Sequence, residues 1–139
     1  MTDAVNLDGR RLLVRINDMG MFLDGHDMGQ VPRLILDRGK DPELTALVSD
    51  LAKTATIAVE VGATFGYFTL LLAKHCPRPC RIFSFEPHPR SFPLLKNSIE
   101  LNKLDRFCKA YPNPLGAIPS CGNMLGLHER RFESRSEEH

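Results

Sequence analysis

The apolar positions of this 139-residue chain change period along its length, and each change marks a predicted element. Leu12-Leu13-Val14-Arg15-Ile16 is a short β-favouring run, Asn17-Asp18-Met19-Gly20 is turn chemistry, Met21-Phe22-Leu23 is a second run and Asp24-Gly25 a second turn. That alternation predicts a small β-rich segment over residues 1–40. Leu34 to Leu36 is too short for its period to separate a strand from a helical turn. Asp41-Pro42-Glu43 predicts a helix start, because Asp can accept the free N–H groups, Pro is tolerated at the first helical position and Glu favours the positive end of the dipole. Leu44, Leu47, Val48 and Leu51 then recur at i, i+3, i+4 and i+7, the spacing of one buried stripe.

From Thr56 the period shortens. Ile57-Ala58-Val59-Glu60-Val61 reads as a strand ended by Gly62, and Phe68 to Lys74 returns to helix formers. A second round follows, with Arg81-Ile82-Phe83-Ser84-Phe85 as a strand stopping at Glu86-Pro87 and Arg90 to Leu101 as a helix. Phe92, Leu95 and Ile99 form the expected core face of that helix, and Phe65, Phe68 and Phe85 are expected in the core as well. Two consecutive strand–helix units with apolar strands predict an α/β fold: a parallel sheet covered by helices, with right-handed crossovers. Arg106 to Tyr111 can supply a third strand. Pro112, Pro114, Gly116, Pro119 and Gly122 then break the pattern, so residues 112–139 read as an irregular or charged tail, its end a solvated helix or a disordered stretch.

Charge adds little to this picture. With 18 Lys+Arg against 17 Asp+Glu the net charge is +1, and no local basic patch stands out, so neither nucleic acid nor a membrane surface is expected as a partner. The longest apolar run, Phe68 to Ala73, is far below the ~18–20 residues that cross a bilayer, and the N-terminus has no hydrophobic signal region. A cytoplasmic location is the resulting expectation. The four cysteines, Cys76, Cys80, Cys108 and Cys121, are then expected as reduced thiols. Cys76 and Cys80 have C-x-x-x-C spacing but no second ligand pair, so no metal is expected. His88 reads as a solvated turn residue, and His26, between Asp24 and Asp27, as part of a polar surface.

The chemistry concentrates in Val59-Glu60-Val61-Gly62-Ala63-Thr64-Phe65-Gly66-Tyr67-Phe68-Thr69. A glycine-rich strand-to-helix turn lets a ligand approach the backbone, and the helix behind it offers free N–H groups. A dinucleotide fingerprint needs G-x-G-x-x-G, yet Thr64 and Tyr67 occupy its later glycine positions; a P-loop needs Lys after the last glycine, and Tyr67 stands there. What remains is Glu60 before the first glycine, G-x-x-x-G, and Glu86 ending the next strand, 20 residues beyond Gly66. In a βαβ unit that spacing sets Glu86 beside the turn, where it can accept bonds from a ribose diol, while Glu60 can meet an amine. A ligand with a ribose, an amino acid and no phosphate fits, namely S-adenosylmethionine. A nucleoside-binding protein of another class is a weaker alternative.

The stretch Asp41-Pro42-Glu43-Leu44-Thr45, then VEVGATFGYFTLLLAK, then IFSFEPHPRSFPLLKNSIELN, resembles the FkbM family of S-adenosylmethionine-dependent methyltransferases over about residues 41–102. The resemblance implies a Rossmann-like doubly wound methyltransferase fold, S-adenosylmethionine as cofactor, and O-methylation of a small molecule or sugar. By it, Glu60, Gly62, Ala63, Thr64 and Gly66 match the donor-binding first motif, Tyr67 opens the helix behind it, Glu86 with Pro87 matches the ribose-binding acid, and Asp41 or Glu43 matches an acidic position lining the donor pocket. No acidic-glycine motif follows Leu104. Residues 41–111 therefore correspond to the N-terminal, donor-binding half of such a fold, with no assignable catalytic base. A truncated, inactive module that binds S-adenosylmethionine or a nucleoside is the alternative function, and self-association through an exposed sheet edge is expected.

Overall fold

Asn17 and Asp18 both take left-handed backbone angles, φ 53° and 63°, as a type I′ hairpin turn requires. They join β2 (Arg11–Ile16) to β3 (Met19–Asp24) in the register Ile16↔Met19 to Arg11↔Asp24. The computed structural model describes residues 4–116. A short strand that the sequence pattern did not reveal, β1 (Ala4–Asn6), pairs antiparallel with β2 and completes the first sheet, β1-β2-β3. Val14, Ile16, Met21 and Leu23 form its buried face. The ambiguous Leu34–Leu36 stretch belongs to a one-and-a-half-turn helix, α1 (Val31–Leu36), anchored by the fully buried Leu34.

Helix α2 (Pro42–Ala52) starts where the capping chemistry placed it: the Asp41 carboxylate accepts the Leu44 N–H at 3.1 Å. Its apolar stripe is a different matter. Leu44, Leu47 and Leu51 are 42 %, 55 % and 64 % exposed, and among the stripe residues Val48 alone packs against the core. The periodicity identified the helix correctly, but no described element covers that face.

The second sheet holds β4 (Ile57–Val61), β5 (Arg81–Phe85) and β6 (Cys108–Tyr111), all parallel, in the order β4-β5-β6. Helix α3 (Tyr67–His75) crosses from β4 to β5, and α4 (Ser91–Leu101) from β5 to β6. Pairing in step sets the faces of this sheet. Glu60 lies beside Ser84 and Ala58 beside Ile82 on the side packed by α3, where the Thr69 hydroxyl meets Ser84 Oγ at 2.8 Å. Val59 lies beside Phe83, and Val61 in one row with Phe85 and Tyr111, on the opposite side. Tyr111 stacks 5.1 Å from Phe85 and 6.4 Å from Phe83. Ile57, Val59 and Val61 are nonetheless exposed, so the expectation of helices on both faces is met on one face only among the described residues. For the same reason Phe85, expected in the core, is half-buried.

Helix α4 joins the two sheets. Leu95 and Ile99 are buried as expected. On another face, Ser98 Oγ accepts the Phe22 N–H at 2.9 Å, Asn102 Oδ1 accepts the Gly20 N–H at 3.1 Å, and Asn102 Nδ2 donates to the Gly20 carbonyl at 2.7 Å. The outer edge of β3 is thereby closed by side chains. Residues 112–116 carry no helix or strand, and the expected tail beyond them lies outside the described residues.

Candidate functional site

The turn between β4 and α3 is held from three directions. Gly62 N–H and Ala63 N–H both donate to the Phe85 carbonyl, at 2.9 and 3.1 Å, which ties the turn to the end of β5. Gly66 N–H donates to the Ala63 carbonyl at 2.8 Å and closes the turn on itself. Gly62, Thr64 and Gly66 have φ of 77°, 53° and 97°, so left-handed residues alternate with ordinary ones. A Cβ on Gly66 would come within 2.8 Å of Leu95 Cδ1, whereas one on Gly62 would meet nothing within 4 Å. Gly66 thus serves close packing on α4, while Gly62 borders open space that a ligand can occupy.

Glu86 provides the third hold. Its Oε2 accepts the Thr64 N–H at 2.7 Å and its Oε1 accepts the His88 N–H at 2.8 Å, with the residue only 6 % exposed. A carboxylate offers about four lone-pair sites, so two remain after these bonds. The carboxylate predicted to receive a ribose is therefore beside the turn, and it also holds the turn in shape.

Glu60 is held by neighbours on the α3 side of the sheet and also reaches the groove beside Gly62. Its Oε2 accepts from the Thr69 hydroxyl and, at 3.4 Å, from the Ser84 hydroxyl, pointing into the α3 side of the sheet. Burial pushes its carboxyl up to about 7; the Thr69 and Ser84 hydrogen bonds and Lys40 pull the other way, and Glu86 adds to the rise. Near neutral pH it is thus shared between the charged and neutral forms.

The remaining predicted residues divide. Ala63 and Tyr67 are buried, and the Tyr67 hydroxyl lies 3.1 Å from Thr45 Oγ1, which donates to the Lys40 carbonyl at 2.8 Å. Tyr67 therefore links α3 to the start of α2. Pro87 is half-buried directly after Glu86. Asp41 is engaged as the α2 cap, and Glu43 is exposed in the first turn of α2; neither is brought against the turn.

A cavity of about 470 Å³ opens beside Thr64, Glu86 and His88, and its opposite wall comes from Asp24 at the end of β3 and from His26 and Gln30 in the loop that follows. The sequence marks His26 as part of a polar surface, and no local pattern connects it to Glu86, since the meeting depends on β3 docking against α4. Asp24 is held by Arg10 through two bonds, 3.1 and 3.3 Å, and by the His26 N–H at 3.0 Å. Burial opposes its ionisation, but these bonds outweigh it and keep the carboxyl below its ordinary range. His88 Nδ1 accepts the Arg90 N–H at 3.2 Å. A second groove, about 590 Å³, runs between α2 and β4 and reaches Lys40, Glu60 and Gly62.

Among the described residues no group of His, Cys, Asp or Glu is arranged to hold a metal, and no helix is long and apolar enough to cross a membrane. Cys76, Cys80 and Cys108 are buried free thiols. Burial, reinforced for Cys76 by its bond with Cys80, pushes Cys76 up to about 11, and burial pushes Cys108 up to about 12. Open space over Gly62 and the spare acceptors of Glu86 fit the ribose and amino-acid parts of S-adenosylmethionine, and the turn carries no lysine for a phosphate.

No family model matches the chain, and no curated protein is similar to it. Solved structures are. P. horikoshii TYW2 in complex with MeSAdo matches with a TM-score of 0.63 at 19 % identity, over 83 % of this chain and 40 % of that one. M. jannaschii TYW2 in complex with AdoMet matches with a TM-score of 0.58 at 21 % identity, over 76 % of this chain and 44 % of that one. The complex of aTrm5 with tRNALeu matches with a TM-score of 0.60 at 19 % identity, over 94 % and 38 %. The chain thus spans less than half the length of each.

Two expectations are corrected. The likeness runs to TYW2- and Trm5-type structures, not to the FkbM family that the motifs resemble: a strand, glycine turn and acid-ended strand are shared widely across this fold and do not separate its families. The exclusion of nucleic acid from net charge also falls, because aTrm5, a protein of the same fold, is captured with tRNA, and net charge does not report where charges sit. The chain has a small α/β Rossmann-like core of the class I S-adenosylmethionine-dependent methyltransferase fold.

Proposed function

We propose that the chain binds S-adenosylmethionine across the C-terminal ends of β4 and β5, with the ribose hydroxyls donating to the two free acceptor positions of Glu86. The observation that carries this reading is the Glu86 carboxylate, buried beside a glycine turn and only half used by Thr64 and His88. Gly62 leaves room for the amino-acid end of the donor. Ala63, Thr64 and Gly66 shape the turn, and Tyr67 and Pro87 pack its flanks. Glu60, which reaches the groove between α2 and β4 from beneath, supplies charge near the donor's amine. The binding of AdoMet by M. jannaschii TYW2 supports the choice of ligand.

Methyl transfer then takes place to an oxygen of a small molecule or sugar. In that displacement the sulfur–methyl bond breaks as the oxygen–methyl bond forms, and the acceptor's proton leaves to a base; the protein contributes mainly by positioning the reactants. A second reading, binding without transfer, is favoured by the open edge of β4, since a doubly wound sheet places its ligand between the first strand and a neighbour on that side. A cytoplasmic location accompanies both readings.

Calorimetry with S-adenosylmethionine and S-adenosylhomocysteine tests the first step. Binding by the wild type that is lost in Glu86→Ala but kept in Glu43→Ala supports the site, and no binding at millimolar donor removes it. Radiolabelled methyl transfer to sugar and tRNA acceptors separates transfer from binding alone.

A further inference from the structure

Gly39 packs against the first residue of α3. A Cβ on it would come within 2.7 Å of the Tyr67 hydroxyl, so the chain entering α2 approaches α3 more closely than any other residue type allows. The residue that follows is fixed by two contacts in series. Thr45 Oγ1 donates to the Lys40 carbonyl at 2.8 Å and meets the Tyr67 hydroxyl at 3.1 Å, and Tyr67 is buried directly after Gly66. The backbone of Lys40 is therefore tied to the helix that closes the glycine turn.

The half-buried Lys40 lines the groove between α2 and β4 together with Glu60, Gly62 and Ala63. Among the described residues no hydrogen bond or ion pair engages its ammonium. Its charge is felt by Glu60, whose carboxyl it pulls down against the effect of burial. Every other residue lining the groove is apolar or glycine, so Lys40 and Glu60 are its two charged anchors and they are opposite in sign. That is the pattern a zwitterion needs. The amino-acid end of S-adenosylmethionine carries an ammonium and a carboxylate on one carbon, and Glu60 can serve only the first.

We propose that Lys40 holds the carboxylate of the donor's amino-acid end and makes the site select ligands that carry one. The assignment rests on the reading of the glycine turn as a donor site. A lysine ammonium is a point charge with rotatable donors on a flexible stem, so it can meet a carboxylate without the fixed fork of an arginine.

Three ligands separate the parts of this claim. S-adenosylmethionine has both charges of the amino-acid end, its decarboxylated form keeps the ammonium alone, and 5′-methylthioadenosine lacks both. Calorimetry of the full chain compares wild type with Lys40→Met, which removes the charge and keeps an unbranched side chain. Wild type is expected to bind S-adenosylmethionine about ten- to a hundredfold more tightly than the decarboxylated form. Lys40→Met is expected to lose that preference, while binding the decarboxylated form and 5′-methylthioadenosine no more weakly than wild type does. Equal affinity of wild type for the donor and its decarboxylated form overturns the inference and leaves the donor reading intact. So does a Lys40→Met chain that keeps the preference, or one that weakens all three ligands alike, as a role in the fold or through Glu60 would. A wild type that binds none of the three removes the donor reading and the inference with it.

Discussion

Glu86 holds Thr64 in a conformation that threonine avoids. The carboxylate accepts the Thr64 N–H at 2.7 Å while that residue sits at φ 53°, a left-handed angle unfavourable to β-branched side chains. The same group that is placed to meet a ligand thus keeps the backbone beneath it strained.

Replacing Glu86 by Ala strands two N–H groups, those of Thr64 and His88, at a nearly buried position. Charge-assisted bonds of this kind contribute about 1.5–3 kcal/mol each in net terms, so urea titration should show a loss of about 3–6 kcal/mol. Glu86→Gln keeps an acceptor and should recover part of that stability while still weakening donor affinity. Equal stability in wild type and Glu86→Ala would show that the clamp is not formed.

Thr64→Gly should act in the opposite direction. Left-handed backbone costs a non-glycine residue roughly 1–2 kcal/mol, partly offset by the greater freedom glycine loses on folding. Thermal unfolding should therefore show a modest rise in stability, of about 0.5–1 kcal/mol. A fall would mean that the Thr64 side chain contributes contacts exceeding the strain.

Gly66 and Leu95 should behave as a coupled pair. Gly66→Ala adds a Cβ 2.8 Å from Leu95 Cδ1 at φ 97°, and Leu95→Ala alone empties a fully buried position at a cost of about 2–5 kcal/mol. In the double variant the clash disappears but the backbone strain stays. The two losses should then sum to more than the double variant shows, by about 1 kcal/mol or more in a mutant cycle. Strict additivity would place the Gly66 requirement in the backbone alone.

Glu60 makes stability fall as pH rises. Its folded carboxyl titrates at about 7 against an ordinary 4.5, so between those values the folded chain holds a proton that the unfolded chain has released. The contribution of Glu60 is then greatest below about pH 4.5, declines through the window up to about 7 and levels off above it. The loss is on the order of 3–4 kcal/mol. Urea titrations at intervals across that window should show the slope in wild type and not in Glu60→Gln. Binding of an aminated donor should draw the same titration downward.

The sequence was a good guide wherever local chemistry decides the outcome. Asp41 caps α2, Gly62 ends β4, and Glu86 ends β5 beside the turn, because caps, turns and strand ends follow from neighbours in the chain. It was a poor guide to what lies across space. The spacing of Leu44, Leu47 and Leu51 shows that a face is apolar but not whether anything covers it. Glu60 stands at its predicted position, but its bonds to Thr69 and Ser84, set by alternation along β4 and by the docking of α3, have no signature in the local sequence. β1, three exposed residues long, has no pattern to detect, and His26 reaches the cavity only through the docking of β3.

That docking also defines a clock for the whole molecule. Phe22 N–H bonds to Ser98 and Gly20 N–H to Asn102, partners 76 and 82 residues away in the chain. A hairpin closed by two residues can form within microseconds, but these two amides stay bare until α4 has been built and has come to rest on β3. Their solvent exchange therefore reports separation of the two sheets, whereas the amides inside the hairpin can be shielded by local structure alone.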